Sequence, residues 1–281
     1  MNSNSPEYLL KNKNTGSLPQ RLYLDLVKKC LTRSILKSQY EFVPCTEKSF
    51  WSLIQKSFKS GNYRLVRPLN IDPQKGMGWP IEGETMIGMK RLDHLENCII
   101  QVLDQEIPGD FIETGVWRGG ATIFMRAVLK AYDELERIVW VADSFQGLPK
   151  PNNNYPIDSY NRLWTENCLA ISLDEVKENF RKYDLLDQYV KFLPGWFKDT
   201  LPQANIEKLS LLRLDGDMYE STMISLHYLY PKLSVGGYVI IDDYGALDSC
   251  KTAVEDFRKR NDITEEIQQV DESCVFWKRN H

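Results

Sequence analysis

The stretch FIETGVWRGG, from Phe111 to Gly120, decides the fold. An apolar run ends in the carboxylate Glu113, and Gly115, Gly119 and Gly120 then open a helix-forming stretch. A strand that turns through glycines into a helix is the opening unit of an open α/β sheet. Such sheets bind ligands at the carboxyl ends of their strands, at the switch point. Glycine at that place lets a ligand approach the backbone closely. The spacing is not GxGxxG, so the pyrophosphate fingerprint of a dinucleotide site is missing, and a glutamate just before the loop repels phosphate. The pattern suits a ligand carrying an ammonium and a sulfonium, as S-adenosylmethionine does. Read without a ligand, the same stretch is a structural strand-turn-helix.

Downstream, short apolar runs alternate with helical stretches. The sequence predicts strands over Asp110–Gly115, Ile138–Ser144, Val190–Leu193, Leu209–Leu214 and Tyr238–Asp242. It predicts helices over Gly120–Leu135, Leu173–Tyr183, Ser221–Leu233 and Ser249–Asn261. That order calls for a parallel sheet with helices on both faces. Glu265–Val270 and Ser273–Lys278 read as a closing hairpin on the sheet edge, completing a seven-stranded, mainly parallel sheet. Upstream, helical patterns cover Leu18 to Leu31, Glu47 to Lys59 and Glu84 to Val102, with a Gly-, Pro- and Trp-rich loop over 60–82. The chain therefore divides into a flexible N-terminus (1–18), an N-terminal helical extension and loop (19–105) and an α/β core (106–281). Near 150–167 the core carries a Pro-, Asn- and aromatic-rich segment of the length expected of a lid; the alternative is a surface insertion.

Acids mark the strand ends. Asp143 in VADSFQG is placed to accept hydrogen bonds from a ribose diol, or else to cap its own turn. Asp215 and Asp217 in LLRLDGDMY stand two apart at the next strand end and are expected on one face. Two such carboxylates are costly unless a cation or proton separates them. Asp242 and Asp243 in VIIDDY end the following strand and can reach one ion only if the chain turns there. Oxygen donors of this kind suit Mg²⁺ or another hard cation.

Bulk properties exclude several classes. The formal charge is −4 and no basic stripe is present, which argues against a nucleic-acid partner. No run of 18 apolar residues suggests a membrane span, and the start lacks the apolar segment of a signal peptide. The six cysteines form no CxxC pair, as expected of free thiols in a reducing cytoplasm. A 281-residue chain with 42% apolar residues has a real core available.

Eight blocks, in order, resemble the macrocin O-methyltransferase family. They are RLYLDLVKKCLT, TMIGMKRLDHLENCI, ETGVWRGG, VADSFQGLP, FLPGWFKDTLP, RLDGDMYEST, LYPKL and GGYVIIDDYG. The likeness runs from about Leu18 to about Trp277. It implies a class I S-adenosylmethionine-dependent methyltransferase fold and methylation of sugar hydroxyls on glycosylated small molecules. It also implies magnesium ligands at Asp215, Asp242 and Asp243 and a general base at Asp217. The implied cofactor contacts are Glu113, Asp143, Ser144 and the Thr85-Met86 pair, beside Gly115 in the glycine loop. A family homologue can also act on a surface glycan or lipid-linked sugar.

Rivals remain at this stage. DGD is formally the DxD of a metal-dependent glycosyltransferase, although no basic residues are seen beside it to meet phosphate. A non-enzymatic sugar-binding protein is the second rival. His94 competes with Asp217 as base, or packs within its helix. Tyr155, Tyr160 and Trp164 of the lid are expected to stack on the acceptor, with 61–80 forming the other wall. Leu22, Leu26 and Trp51 are apolar enough to pack on a second subunit in a homo-oligomer, or on the parent sheet.

Overall fold

A computed structural model describes residues 16–36, 38–43, 50, 54, 65–69, 72–76 and 78–281. The expected helix over 47–59 apart from Phe50 and Ile54, Trp51 within it, Cys45, residues 60–64, 70, 71 and 77 of the loop over 60–82, and the first 15 residues lie outside that set.

Helix α1 (Leu18–Leu31) starts at a capping box: Ser17 accepts from the Gln20 amide, and the Gln20 side chain accepts from the Ser17 amide. Its inner residues Leu24, Val27 and Leu31 enter the core, while Leu18, Leu22 and Leu26 are more than half exposed. Leu22 and Leu26 therefore do not pack on the parent sheet. A small antiparallel pair, β1 (Tyr40–Phe42) and β2 (Val66–Pro68), was not foreseen from sequence.

Helix α2 (Met89–Asp104) begins five residues later than the apolar pattern suggests. Residues 84–88 are instead an extended strap. Glu84 is held there by Arg33 Nη2 at 2.6 Å and the Tyr183 hydroxyl at 3.0 Å, and its carbonyl accepts from the Gly120 amide at 2.9 Å. Side-chain and backbone partners outside a helix thus override the periodic signal.

The core follows the expected alternation: β3 (Asp110–Thr114), α3 (Gly120–Ala131), β4 (Val139–Asp143), α4 (Leu173–Lys182), β5 (Val190–Pro194), α5 (Phe197–Thr200), β6 (Leu209–Leu214), α6 (Tyr219–Leu229), β7 (Leu233–Ile241), α7 (Asp248–Arg260), β8 (Gln268–Gln269) and β9 (Val275–Lys278). The sheet order is β5-β4-β3-β6-β7-β9-β8, parallel from β5 to β7 and antiparallel at β9 and β8. The second strand of the closing hairpin thus slots inside the first. The order reverses between β3 and β6, which is the switch point.

Strand alternation splits the core into two layers. Phe111, Val139, Val141, Leu211 and Ile240 face α1, α2, α3 and α4, where Leu24, Leu92, Ile99, Ile123 and Phe180 pack. Ile112, Trp140, Leu212, Val239 and Ile241 face α6 and α7, where Leu226, Leu229 and Val254 pack, together with Trp277 of β9. The lid is not structureless: 3₁₀ turns occupy Pro156–Tyr160, Leu163–Thr165 and Asn167–Leu169. Among the described residues no helix is long and apolar enough to cross a membrane, and the described cysteines form no disulfide.

Leu24 is 1% exposed, so α1 is bound to the core through a filled position. Leu24→Ala is expected to lower unfolding free energy by about 2–5 kcal/mol, measured as the shift of the urea midpoint at constant slope.

Candidate active site

The glycine loop is tight because the protein approaches itself there. Gly115 has φ +84°, and a Cβ on it would lie 1.7 Å from the Asp215 carbonyl oxygen. A Cβ on Gly120 would meet the Glu84 carbonyl oxygen at 2.5 Å. Both glycines therefore admit backbone, whatever ligand the loop also admits. Gly115 joins β3 to the turn after β6, and Gly120 seats the strap on the start of α3.

Asp143, at the end of β4, accepts from the Val116 amide at 2.8 Å and from the Phe145 amide at 2.7 Å. It thus caps its own turn and ties it to the glycine loop. Burial raises its carboxyl above the usual range, and those amide bonds oppose the rise. The Ser144 hydroxyl donates to the Gly147 carbonyl at 2.7 Å. Thr85 and Met86 lie on the strap.

Asp215 and Asp217 do not share a strand face. β6 ends at Leu214, and Asp217 is left-handed at φ +58°, so the two acids sit on a turn rather than on successive pleats. The turn still brings acids together. Asp215, Asp242 and Asp243 each place a carboxylate oxygen within 4.8 Å of the others, the one such group among the described residues. β7 ends at Ile241, so the chain turns at Asp242 as that convergence requires. The Asp217 amide donates to Asp243 Oδ2 at 3.2 Å. Burial and the neighbouring carboxylates push Asp215 up to about 6 and Asp217 and Asp243 well above the usual range. For Asp215 the Arg213 guanidinium opposes that rise.

Sequence reasoning saw no basic residue at the DGD motif, yet two are present. Arg213 lies opposite Glu113 in the β3–β6 register and is buried. It donates to Glu113, to Asp215 Oδ2 at 2.9 Å and to Asp242. Arg91 of α2 donates to Asp242 Oδ2 at 2.6 Å and to Asp271 Oδ2 at 2.6 Å. The missed signal was the arginine inside the apolar run LSLLRL, since a buried charge demands a partner. Glu113 is pushed up to about 8 by burial, against the pull of Arg213. Its Oε2 is buried and has no hydrogen-bond partner among the described residues.

Two chambers meet at these residues. The larger, about 470 Å³, is lined by Gly115, Asp143, Ser144, Trp196, Phe197 and Glu220 among others. The smaller, about 200 Å³, is lined by Thr85, Glu113, Arg213, Asp242 and Asp243 among others. Met86, Trp117, Leu169, Asp215 and Asp217 wall both. Every residue singled out from the sequence as a cofactor or metal candidate, together with the candidate base Asp217, thus lies on one or other wall. His94 lies on neither. It packs against the Phe276 ring at 4.2 Å and the Cys98 sulfur at 3.5 Å, and burial lowers it to about 4.

The expected aromatic stacking wall is also different. Tyr160 is 88% exposed, Tyr155 packs on Tyr219, and Trp164 sits beneath the Lys150 ammonium. From the lid, Asn152, Leu163 and Leu169 face the chambers, and from the preceding loop Gly78 and Trp79 do.

A sheet of this order with its cavity at the switch point is that of a class I S-adenosylmethionine-dependent methyltransferase. The solved structure of the O-methyltransferase NovP superposes with TM-score 0.79 at 43% identity, over 93% of this chain and 100% of its own. Two relatives are a demethyldecarbamoylnovobiocin O-methyltransferase of Streptomyces niveus and a mycinamicin III 3''-O-methyltransferase of Micromonospora griseorubida. The first is 47% identical over 95% of this chain and 96% of its own. The second is 44% identical over 92% and 96%. A third, 47% identical over 92% of each chain, is the tetracenomycin 4'-O-methyltransferase of Streptomyces olivaceus whose full name specifies a 2,3-dimethoxy-alpha-L-rhamnosyl group. The macrocin-O-methyltransferase family model matches residues 20–279, so the chain belongs to that family and is an O-methyltransferase.

The Glu113 shift has a stability consequence. A carboxyl raised when folded binds its extra proton between about 4.5 and about 8, so its contribution falls as pH rises through that window. Wild type should lose stability against Glu113→Gln across that window, with a limiting slope of about 1.4 kcal/mol per pH unit. Urea unfolding of both proteins from pH 4.5 to 8.5 checks this.

Proposed function

We propose that the enzyme moves the methyl group of S-adenosylmethionine to a sugar hydroxyl of a glycosylated natural product, with Mg²⁺ held by Asp215, Asp242 and Asp243. The observation that carries this reading is the convergence of those three acids on the chamber junction beside Gly115. The rhamnosyl group in one relative's name supports a sugar acceptor. Family membership disfavours the glycosyltransferase alternative, and the arginines beside DGD are consumed by carboxylates.

The donor set fits a hard cation. Three crowded carboxylate oxygens, two of them on acids pushed up by burial and then by neighbouring carboxylates, leave the cluster short of positive charge despite Arg213 and Arg91. A divalent ion held there supplies the charge that stabilises a negative acceptor oxygen.

The methyl donor fits the two chambers. Asp143 and Ser144 border the larger one and are suited to the ribose and the base. Glu113 Oε2, buried and unpartnered, is a free acceptor for the donor's ammonium beside Thr85 and Met86. Trp117 and Leu169 exclude water between the chambers. Asp217 stands on both walls, where the acceptor hydroxyl must lose its proton as its oxygen attacks the donor's methyl carbon in line and the C–S bond breaks, releasing S-adenosylhomocysteine. Asp217 takes that proton.

Activity should vanish in excess EDTA and return with Mg²⁺ or Mn²⁺, followed as S-adenosylhomocysteine release with glycosylated acceptors. Full activity in chelator would remove the metal from the mechanism.

At saturating metal, Asp217→Asn should cut turnover by about 10²–10⁴ with near-normal donor affinity, while His94→Gln keeps turnover. The opposite pattern would transfer the base role to the histidine.

A further inference from the structure

The lid between β4 and α4 is largely exposed, yet Asp158 in its first turn is fully buried. Its two carboxylate oxygens accept separate backbone hydrogens from α6: Oδ1 from the Tyr219 amide at 2.8 Å, Oδ2 from the Glu220 amide at 3.1 Å. α6 has no side-chain cap of its own, because the residue before it is Met218. The first amides of a helix are unpaired and carry the positive end of its dipole, so a carboxylate from elsewhere satisfies both needs. Asn152 Nδ2 adds a bond to Glu220 Oε1 at 3.2 Å, and the Tyr155 and Tyr219 rings lie 5.5 Å apart. At the other end of the lid, Trp117 Nε1 of the glycine loop donates to the Cys168 carbonyl at 2.9 Å.

α6 starts two residues after Asp217. The turn carrying Asp215 and Asp217 is therefore strung between the end of β6 and the helix start that Asp158 caps. We propose that Asp158 is a positioning residue: its double cap locks the lid over the larger chamber and, through the same helix turn, fixes the Asp215–Asp217 turn. Asn152 and Leu169 from the lid and Glu220 and Ser221 from α6 all line that chamber, and Asp158 joins the two elements. Loss of its carboxylate frees both walls together. The effect on the methyl donor rests on the reading of that chamber given above; the clamp itself does not.

Trypsin tests the clamp directly, because Arg162 is exposed and lies within the lid. Asp158→Ala removes both acceptors, and Asp158→Asn keeps one oxygen. With each protein folded by circular dichroism, cleavage after Arg162 should be about tenfold or more faster in Asp158→Ala, with Asp158→Asn intermediate. Cleavage elsewhere should keep its wild-type rate. The dissociation constant for S-adenosylhomocysteine, by titration calorimetry, should rise by a similar factor. If Asp158→Ala does not fold, Asp158→Asn carries both readouts. Unchanged lid cleavage, or acceleration spread evenly along the chain, overturns the clamp. Faster lid cleavage with unchanged S-adenosylhomocysteine affinity overturns its coupling to the chamber. A wild-type chain that fails to bind S-adenosylhomocysteine overturns the functional reading instead, and the trypsin arm still decides the clamp.

Discussion

The structure turns on one buried guanidinium. Arg213 sits in β6 at the centre of the sheet and touches Glu113, Asp215 and Asp242, one acid from each of three adjacent strand ends. A charge removed from water is tolerated only when paired and hydrogen-bonded. These acids are therefore held in register by a cation that the protein itself supplies. Arg91 extends the arrangement outward, tying Asp242 to Asp271 in the turn before β9. The polar network thus spans α2, the central strands and the closing hairpin. Carboxyl groups outnumber guanidinium groups in it.

The second constraint is close backbone approach. Gly115 lies against Asp215, and Gly120 against the strap at Glu84 and Thr85. These contacts let the strap cross the start of α3 and bring Met86 to the junction of the chambers. The loop, the strap and the acidic turn are consequently one packed unit rather than three independent motifs. Asp143 adds the next strand to it through the Val116 amide.

The roof is assembled from elements distant in sequence. Lid, glycine loop and α6 meet through polar contacts made largely by backbone groups, in which a side chain from one element satisfies the exposed backbone of another. Such contacts give the lid a defined shape without requiring a long apolar stretch, which is why its composition resembles a loose insertion.

Much of this was written in the sequence. Strand and helix order from Asp110 onward is legible because periods of 2 and 3.6 residues reflect burial on the faces of single elements. Glycines and terminal acids mark the functional edge for the same local reason. The extended strap at 84–88 was not legible, because its hydrogen bonds come from Arg33, Tyr183 and Gly120. Nor were the left-handed turn at Asp217, the arginine partners of Asp215 and Asp242, or the Asp158 cap on α6. Each depends on which groups meet after the sheet has assembled. The sequence by itself determined the order of strands and helices in the α/β core, the family and the acids that gather at the strand ends. Tertiary structure alone decided which charges are paired and which remain open to a ligand, because pairing is set by strand register and packing across the sheet.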